Sequence, residues 1–332
     1  MLCFTPDFYD DFRCIADACP DSCCKEWEVD IDPETAALYR SLPGDLGDRL
    51  RQVLRATEDG TCMTIQDGRC PMWRQDGLCR IHAELGHDAL SQICREYPRI
   101  RHDYSVFVEL GLELSCPEAA RLILSSPYRM KETVIDGESE PDYDVHWMQI
   151  LLRSRGEALS FLEEASLPLP QKLAVLLLYA HDVQEEIDGG TSAILTPDRN
   201  LQDAFRYAEA GNFSLITEFF LNLEILTPQW KARLASAHVP APWNDRHLAL
   251  ARYFIHRYWL QAVADYDLIC RVKFLIVACL LVHALEDDTV AAAQLFSKEV
   301  ENDPDNLEAI LDGAYTSEAF TDVHLLSLLI NS

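Results

Sequence analysis

Ten of the chain's twelve cysteines precede residue 117, and four of them crowd into Cys14-Ile-Ala-Asp-Ala-Cys19-Pro-Asp-Ser-Cys23-Cys24. Cys70, Cys79, Cys94 and Cys116 follow at wider intervals. Thiolates are soft donors that suit zinc and iron–sulfur clusters, and a short loop lowers the cost of gathering several of them. Cys19 and Cys23 form one spaced pair, but the matching second pair of a zinc ribbon is absent, and an iron–sulfur cluster tolerates such irregular spacing better. The candidate ligands are therefore Cys14, Cys19, Cys23, Cys24, Cys70, Cys79, Cys94 and Cys116, with an iron–sulfur centre ahead of Zn2+. His82, three residues after Cys79, reads as a hydrogen-bonding neighbour of the site rather than a ligand. Arg95, Arg99 and Arg101, around Tyr97-Pro98, read as ion-paired structure.

Cytosolic thiols stay reduced, so this cysteine count points to metal ligation or redox chemistry rather than structural disulfides. The opening MLCFTPDFYDDFRC lacks the cationic and apolar segments of a secretory signal, and a cytoplasmic location is expected. A net charge of −27 argues against nucleic acid, whose phosphates need clustered Lys and Arg, and favours basic partners if it favours any. The most apolar run, from Phe274 to Leu285, is too short to span a bilayer and predicts a buried helix with Cys270 and Cys279 as packing residues.

The elements that must carry these residues read as mainly α. Residues 1–130 form a cysteine-rich metal-binding region of short helices and loops, which fit better than a sheet. Asp32-Pro33-Glu34 starts one helix with an acidic cap and Pro at its first position. A second begins at Pro117, with Ser115 as a possible cap and Cys116 at the helix entrance. The polar stretch 131–144 reads as a linker, and residues 145–332 as a helical domain with helices over Trp147–Ala165, Leu169–Glu186, Leu201–Ala210, Ser214–Leu223 and Leu248–Ala262. Glycine-rich nucleotide loops, the Gly-x-Ser-x-Gly elbow and His-Glu-x-x-His are all absent from the sequence.

Several segments together resemble the bacterial flagellin lysine-N-methylase family. They are Phe12-Arg-Cys14, Cys19-Pro-Asp-Ser-Cys-Cys24 with Trp27, Gly77-Leu-Cys79-Arg-Ile-His82, Cys94-Arg-Glu-Tyr-Pro-Arg99 and Leu114-Ser-Cys-Pro-Glu-Ala-Ala-Arg-Leu122. In the helical half, Tyr253-Phe-Ile-His-Arg-Tyr258, Tyr266–Lys273 and Leu295-Phe-Ser-Lys-Glu-Val-Glu-Asn302 are also similar. The cysteine half further resembles the broader group of zinc- or iron-chelating cysteine-rich domains.

The resemblance implies an enzyme that transfers methyl groups from S-adenosylmethionine to lysines of flagellin, with a [4Fe–4S] cluster participating. Eight candidate thiols exceed what one such cluster needs, so some must serve another role, such as a second metal. The chain also lacks the Cys-x-x-x-Cys-x-x-Cys triad of radical S-adenosylmethionine enzymes. Because lysine must lose its proton before accepting a methyl group, an acidic or tyrosine-lined pocket is expected near the donor. The competing expectation is a non-enzymatic zinc- or iron-binding cysteine-rich interaction or structural protein.

Overall fold

The computed structural model describes residues 1–332 apart from 26, 59, 138, 165, 208–210, 239–241 and 286–287. Fifteen α-helices among the described residues make the chain mainly α. The N-terminal part departs from the expected helices and loops, because it also contains two sheets. In the first, the strands are β1 (Leu2–Pro6), β5 (Arg99–Asp103), β6 (Phe107–Leu112) and β7 (Met130–Val134), in the order β5-β6-β1-β7. In the second, β2 (Val29–Asp30), β3 (Leu54–Ala56) and β4 (Thr61–Met63) pair antiparallel in the order β2-β4-β3. Strand β1 runs parallel to β6, with Leu2 opposite Phe107, and antiparallel to β7, with Leu2 opposite Val134. The stretch 131–144 thus starts as an edge strand; within it, Glu138 lies outside the described residues.

Helix Ile269–Ala284 occupies the centre of the main core and is buried from Cys270 to Ala284. From Phe274 to Val282 its sequence is apolar all round, which suits an element covered on every side. Helices Leu169–Ile187, Asp245–Tyr258, Thr289–Phe296 and Pro304–Thr316 pack on it. Cys270 and Cys279 are packing residues, as expected. No helix among the described residues is long and apolar enough to cross a membrane. The expected helices are found at Val145–Glu164, Leu169–Ile187, Pro197–Ala204, Ser214–Leu221 and Asp245–Tyr258, while Ala165 and residues 208–210 lie outside the described residues.

A second, smaller core gathers Val29, Ile31, Ala36, Tyr39, Leu50 and Met72 with their neighbours, and Cys24, Trp27 and Cys79 pack against it. It is a separate apolar nucleus that carries cysteines on its flank. Helix Pro33–Ser41 starts as predicted, with the Asp32 carboxylate accepting from the Thr35 N–H at 2.9 Å. The other Asp32 oxygen accepts from the Gln92 N–H at 2.8 Å. One carboxylate therefore stabilises the starts of two helices, the second of which carries Cys94.

The sheet and the helical body are joined by a buried ion pair. Arg155, on helix Val145–Glu164, reaches Glu109 on β6 with two bonds of 2.8 and 2.6 Å. Both side chains are nearly sealed from water. A parallel, two-pronged geometry of this kind offsets the cost of desolvating both charges. Arg155→Ala leaves the Glu109 carboxylate buried and unpaired. Chemical denaturation of that variant should show a loss of about 3 kcal/mol or more, and replacing Glu109 with Leu in the same chain should recover much of it. A loss under about 1 kcal/mol would place the sheet's anchorage elsewhere.

Candidate functional site

Local turns bring the distant thiols together. Asp67 and Gly68, at φ 52° and 71°, form a tight turn in which Gln66 and Arg69 exchange both backbone hydrogen bonds. Asp-Gly is favoured there because both central residues need positive φ. The returning strand places the Cys70 N–H on the Cys24 carbonyl at 2.8 Å. Gly77, at φ 82°, then turns the chain so that Arg80 N–H reaches the Met72 carbonyl at 2.7 Å, which carries Cys79 back beside Cys70.

The eight predicted thiols fall into two adjoining groups. Cys23, Cys24, Cys70, Cys79 and Cys94 influence one another electrostatically, as do Cys14, Cys19 and Cys116, and the nearness of Cys19 to Cys23 joins the groups. Cys3 lies on β1, and Cys62 on β4 bonds Glu28 at 3.6 Å, so neither belongs to them. Cys24 donates to both Cys23 and Cys70 and is held protonated by these bonds. The Cys24 S–H, with the N–H groups of Met72 and Trp73, lowers Cys70 to about 7.

Backbone N–H groups lie near three of the sulfurs: those of Met72 and Trp73 at Cys70, of Ile81 and His82 at Cys79, and of Glu118 and Ala119 at Cys116. N–H groups so placed favour thiolate over thiol. Burial opposes them and wins at Cys79 and Cys116, the latter pushed up to about 11. Cys94 is reached by water yet hemmed in by protein, which pushes it up to about 12. Among the described residues, no group of three or more His, Cys, Asp or Glu side chains is disposed as it stands to hold a metal ion.

The neighbours differ in part from expectation. The backbone N–H of His82 lies near Cys79, while its ring packs edge-on to His87. Arg101 pairs with Asp103 at 2.9 Å, but Arg95 donates to the Asp88 carbonyl and Arg99 lies over the rings of Tyr9 and Phe12. Ser115 does not cap the helix Pro117–Ser125; its hydroxyl bonds Tyr97 at 3.1 Å and Glu113 at 3.4 Å instead. Cys116 takes the cap position, so the helix entrance is a sulfur site as expected.

A network not anticipated from the sequence starts at that hydroxyl. Glu113 accepts from Arg257 at 3.4 Å, and Arg257 reaches Glu301 at 3.1 Å. Glu301 also accepts from Tyr253 and Tyr258 at 3.0 and 2.7 Å. Burial raises Glu113 and holds Tyr97, Tyr253 and Tyr258 protonated. Glu301 ends a turn of π-helix, Ser297–Glu301, every residue of which is buried although four are polar. Lys298 bonds Asp21 and Glu301 is joined through Arg257 to Glu113, so both side chains of the turn connect to the N-terminal part, and π-turns recur at functional sites. Lys298 bonds Asp21 of the cysteine loop at 3.0 Å, and Gln294 bonds both Asp21 and the Ser115 carbonyl, at 3.2 and 2.8 Å. Burial works against the charge on Asp21, but Lys298 holds its carboxyl below the usual range.

A cysteine-gathering lobe clamped by buried charges to a helical body defines the class of protein. No family model matches the chain. It is 31% identical over 138 residues to the flagellar biosynthetic protein FliU of Salmonella muenchen, an alignment that spans 38% of this chain and 78% of that protein. At the same identity it matches lysine-N-methylases of Salmonella choleraesuis and Salmonella typhimurium, spanning only 33% of their length. No solved structure matches. The chain belongs to the flagellin lysine-N-methylase family.

Lys298→Met keeps most of the side chain but removes the charge that restrains Asp21. Amide hydrogen exchange across residues 14–24 should accelerate about tenfold or more while helix Ile269–Ala284 keeps its protection. Unchanged exchange in the loop would show that the Lys298–Asp21 bond does not hold it.

Proposed function

We propose that the chain is a protein-lysine N-methyltransferase acting on flagellin, with S-adenosylmethionine as methyl donor and a thiolate-bound [4Fe–4S] cluster taking part. The observation that supports this reading is the convergence of segments that resemble the family. Asp21 from the cysteine loop, Ser115 beside Cys116, Arg257 and Tyr258 from one helix, and Lys298 and Glu301 from another meet in one hydrogen-bonded array.

The donor chemistry fits a thiophilic centre. Cys23, Cys24, Cys70, Cys79 and Cys94 offer clustered sulfurs, and the surroundings of Cys70 already favour its thiolate. Metal loading takes up thiolates, so it would expel the proton that Cys24 shares with Cys23 and Cys70. A bound cluster would supply one-electron chemistry or a coordinating iron. The second group, Cys14, Cys19 and Cys116, accounts for three of the four thiols beyond those that one such cluster needs.

In the net reaction the neutral ε-amine of lysine forms an N–C bond as the sulfonium S–C bond breaks. S-adenosylhomocysteine leaves with the electron pair, and the methylated amine sheds one proton. In the buried network, Glu113, whose carboxyl is raised by burial, is the group suited to accept that proton, while Tyr253 and Tyr258 stay protonated and act as donors.

The backbone N–H groups near Cys70, Cys79 and Cys116 would equally serve a structural zinc site, which favours the second reading, a non-enzymatic metal-binding protein. Oxygen-free protein mixed with flagellin and S-adenosylmethionine separates the two readings by mass spectrometry. The enzyme should add successive methyl increments to flagellin lysines. Unmodified flagellin after incubation with metal-loaded protein would leave the binding module.

A further inference from the structure

A separate cleft of about 510 Å³ is lined by neither the cysteines nor Glu113, Arg257 and Glu301. Its lining includes His102, Tyr104, Tyr143, Tyr266 and Arg271. Tyr104 and Arg271 are only 6% and 7% exposed. Even so, the Tyr104 hydroxyl, Arg271 Nε and His102 Nε2 have no hydrogen-bond partner among the described residues. Three orphaned polar atoms around one cleft are unusual, because each buried group without a partner costs stability.

The rest of each side chain is firmly held, so the orphaned atoms do not reflect loose placement. The Tyr104 ring stacks between Phe107 and His102, with centroids 4.9 and 6.5 Å away. Arg271 spends its terminal nitrogens on Asp265 at 2.7 Å and the Asp267 carbonyl at 2.5 Å, leaving Nε over. Burial, aided by the nearby Arg257, lowers His102 to about 4, so its ring is neutral at physiological pH and offers one donor and one acceptor. Tyr266 holds φ 65°, a conformation that costs a bulky residue energy and that clusters at ligand-holding positions. Its backbone is pinned by bonds to Ala262 at 2.8 Å and Gln184 at 2.7 Å, and its ring lies 3.9 Å from that of Trp147.

Aromatic walls, a spare guanidinium donor and the carboxylates of Asp103 and Asp142 together define a chemistry. We propose that this cleft binds a zwitterionic small molecule carrying a flat nucleoside ring, with its carboxylate on Arg271, its ammonium toward Asp103 and Asp142, and its ring against the tyrosines. S-adenosylmethionine and S-adenosylhomocysteine are molecules of that class, and choosing them as occupants rests on the methyltransferase reading. Tyr104 and His102 then bond the polar edges of the ring or its sugar.

Calorimetric titration of the full chain with S-adenosylhomocysteine, which carries no methyl to transfer, tests the cleft. Wild type should bind it, and Arg271→Gln should weaken binding about tenfold or more, the loss of a charged hydrogen bond. Tyr143→Ala, at a partly exposed wall, guards against a folding defect and should weaken it several-fold with an unchanged melting curve. Adenosine or methionine alone should bind more weakly than the joined molecule. Equal affinity in wild type and both variants, or no binding to wild type, overturns the proposal. Flagellin methylation by the same preparations keeps the two claims apart. Methylation with variant-insensitive binding rejects the cleft and spares the enzyme, while cleft-dependent binding without methylation does the reverse.

Discussion

A guanidinium buried between two carboxylates holds this protein together. Taking Arg257, Glu113 and Glu301 out of water costs several kcal/mol per charge, which mutual attraction offsets only if the remaining donors and acceptors are filled. Tyr253 and Tyr258 both donate to Glu301 Oε1 and Ser115 donates to Glu113, while Glu301 Oε2 and Arg257 Nη1 keep no hydrogen-bond partner among the described residues. The three charges come from the end of a sheet, the helix Asp245–Tyr258 and the π-turn Ser297–Glu301. Each of these elements is thereby fixed relative to the others, and the cysteine lobe is attached to the same frame through Tyr97 and through Asp21.

The site chemistry follows from how the lobe is attached. Its own apolar core is small, so the positions of the sulfurs depend on a few specific contacts: the Asp-Gly turn before Cys70, the Gly77 turn before Cys79, and the Asp32 carboxylate that anchors two helix starts. These devices order the loops around Cys24 while leaving its proton shared among neighbours. A thiol cluster arranged in this way is both a poor hydrophobic core and a good soft-metal donor set.

Signals confined to a few residues were legible in the sequence. Asp32-Pro33 announces a helix because cap and first turn are adjacent, and the apolar run before Leu285 announces a buried one because its whole circumference is apolar. The eight thiols stood out by crowding. The sheets did not, because β1 pairs with β6 across more than a hundred residues and β7 is a polar edge strand with no alternating apolar face. Ser115 looked like a cap because helix starts favour serine, but a buried partnership with Tyr97 and Glu113 claimed its hydroxyl. The Arg257 network was hidden for the same reason as the sheets. Glu113, Arg257 and Glu301 look like ordinary surface charges until the fold brings them together, although all but Glu113 and Ser115's bond to it lie within segments marked by the family resemblance.

Metal and sulfide content with electron paramagnetic resonance of oxygen-free, full-length protein tests the central claim most directly. A cluster held by the lobe predicts about four irons and four sulfides per chain, a reducible paramagnetic signal, and loss of both on Cys24→Ala. A folded protein that carries only zinc, or that carries no metal and has all of its lobe thiols open to alkylation, would contradict it.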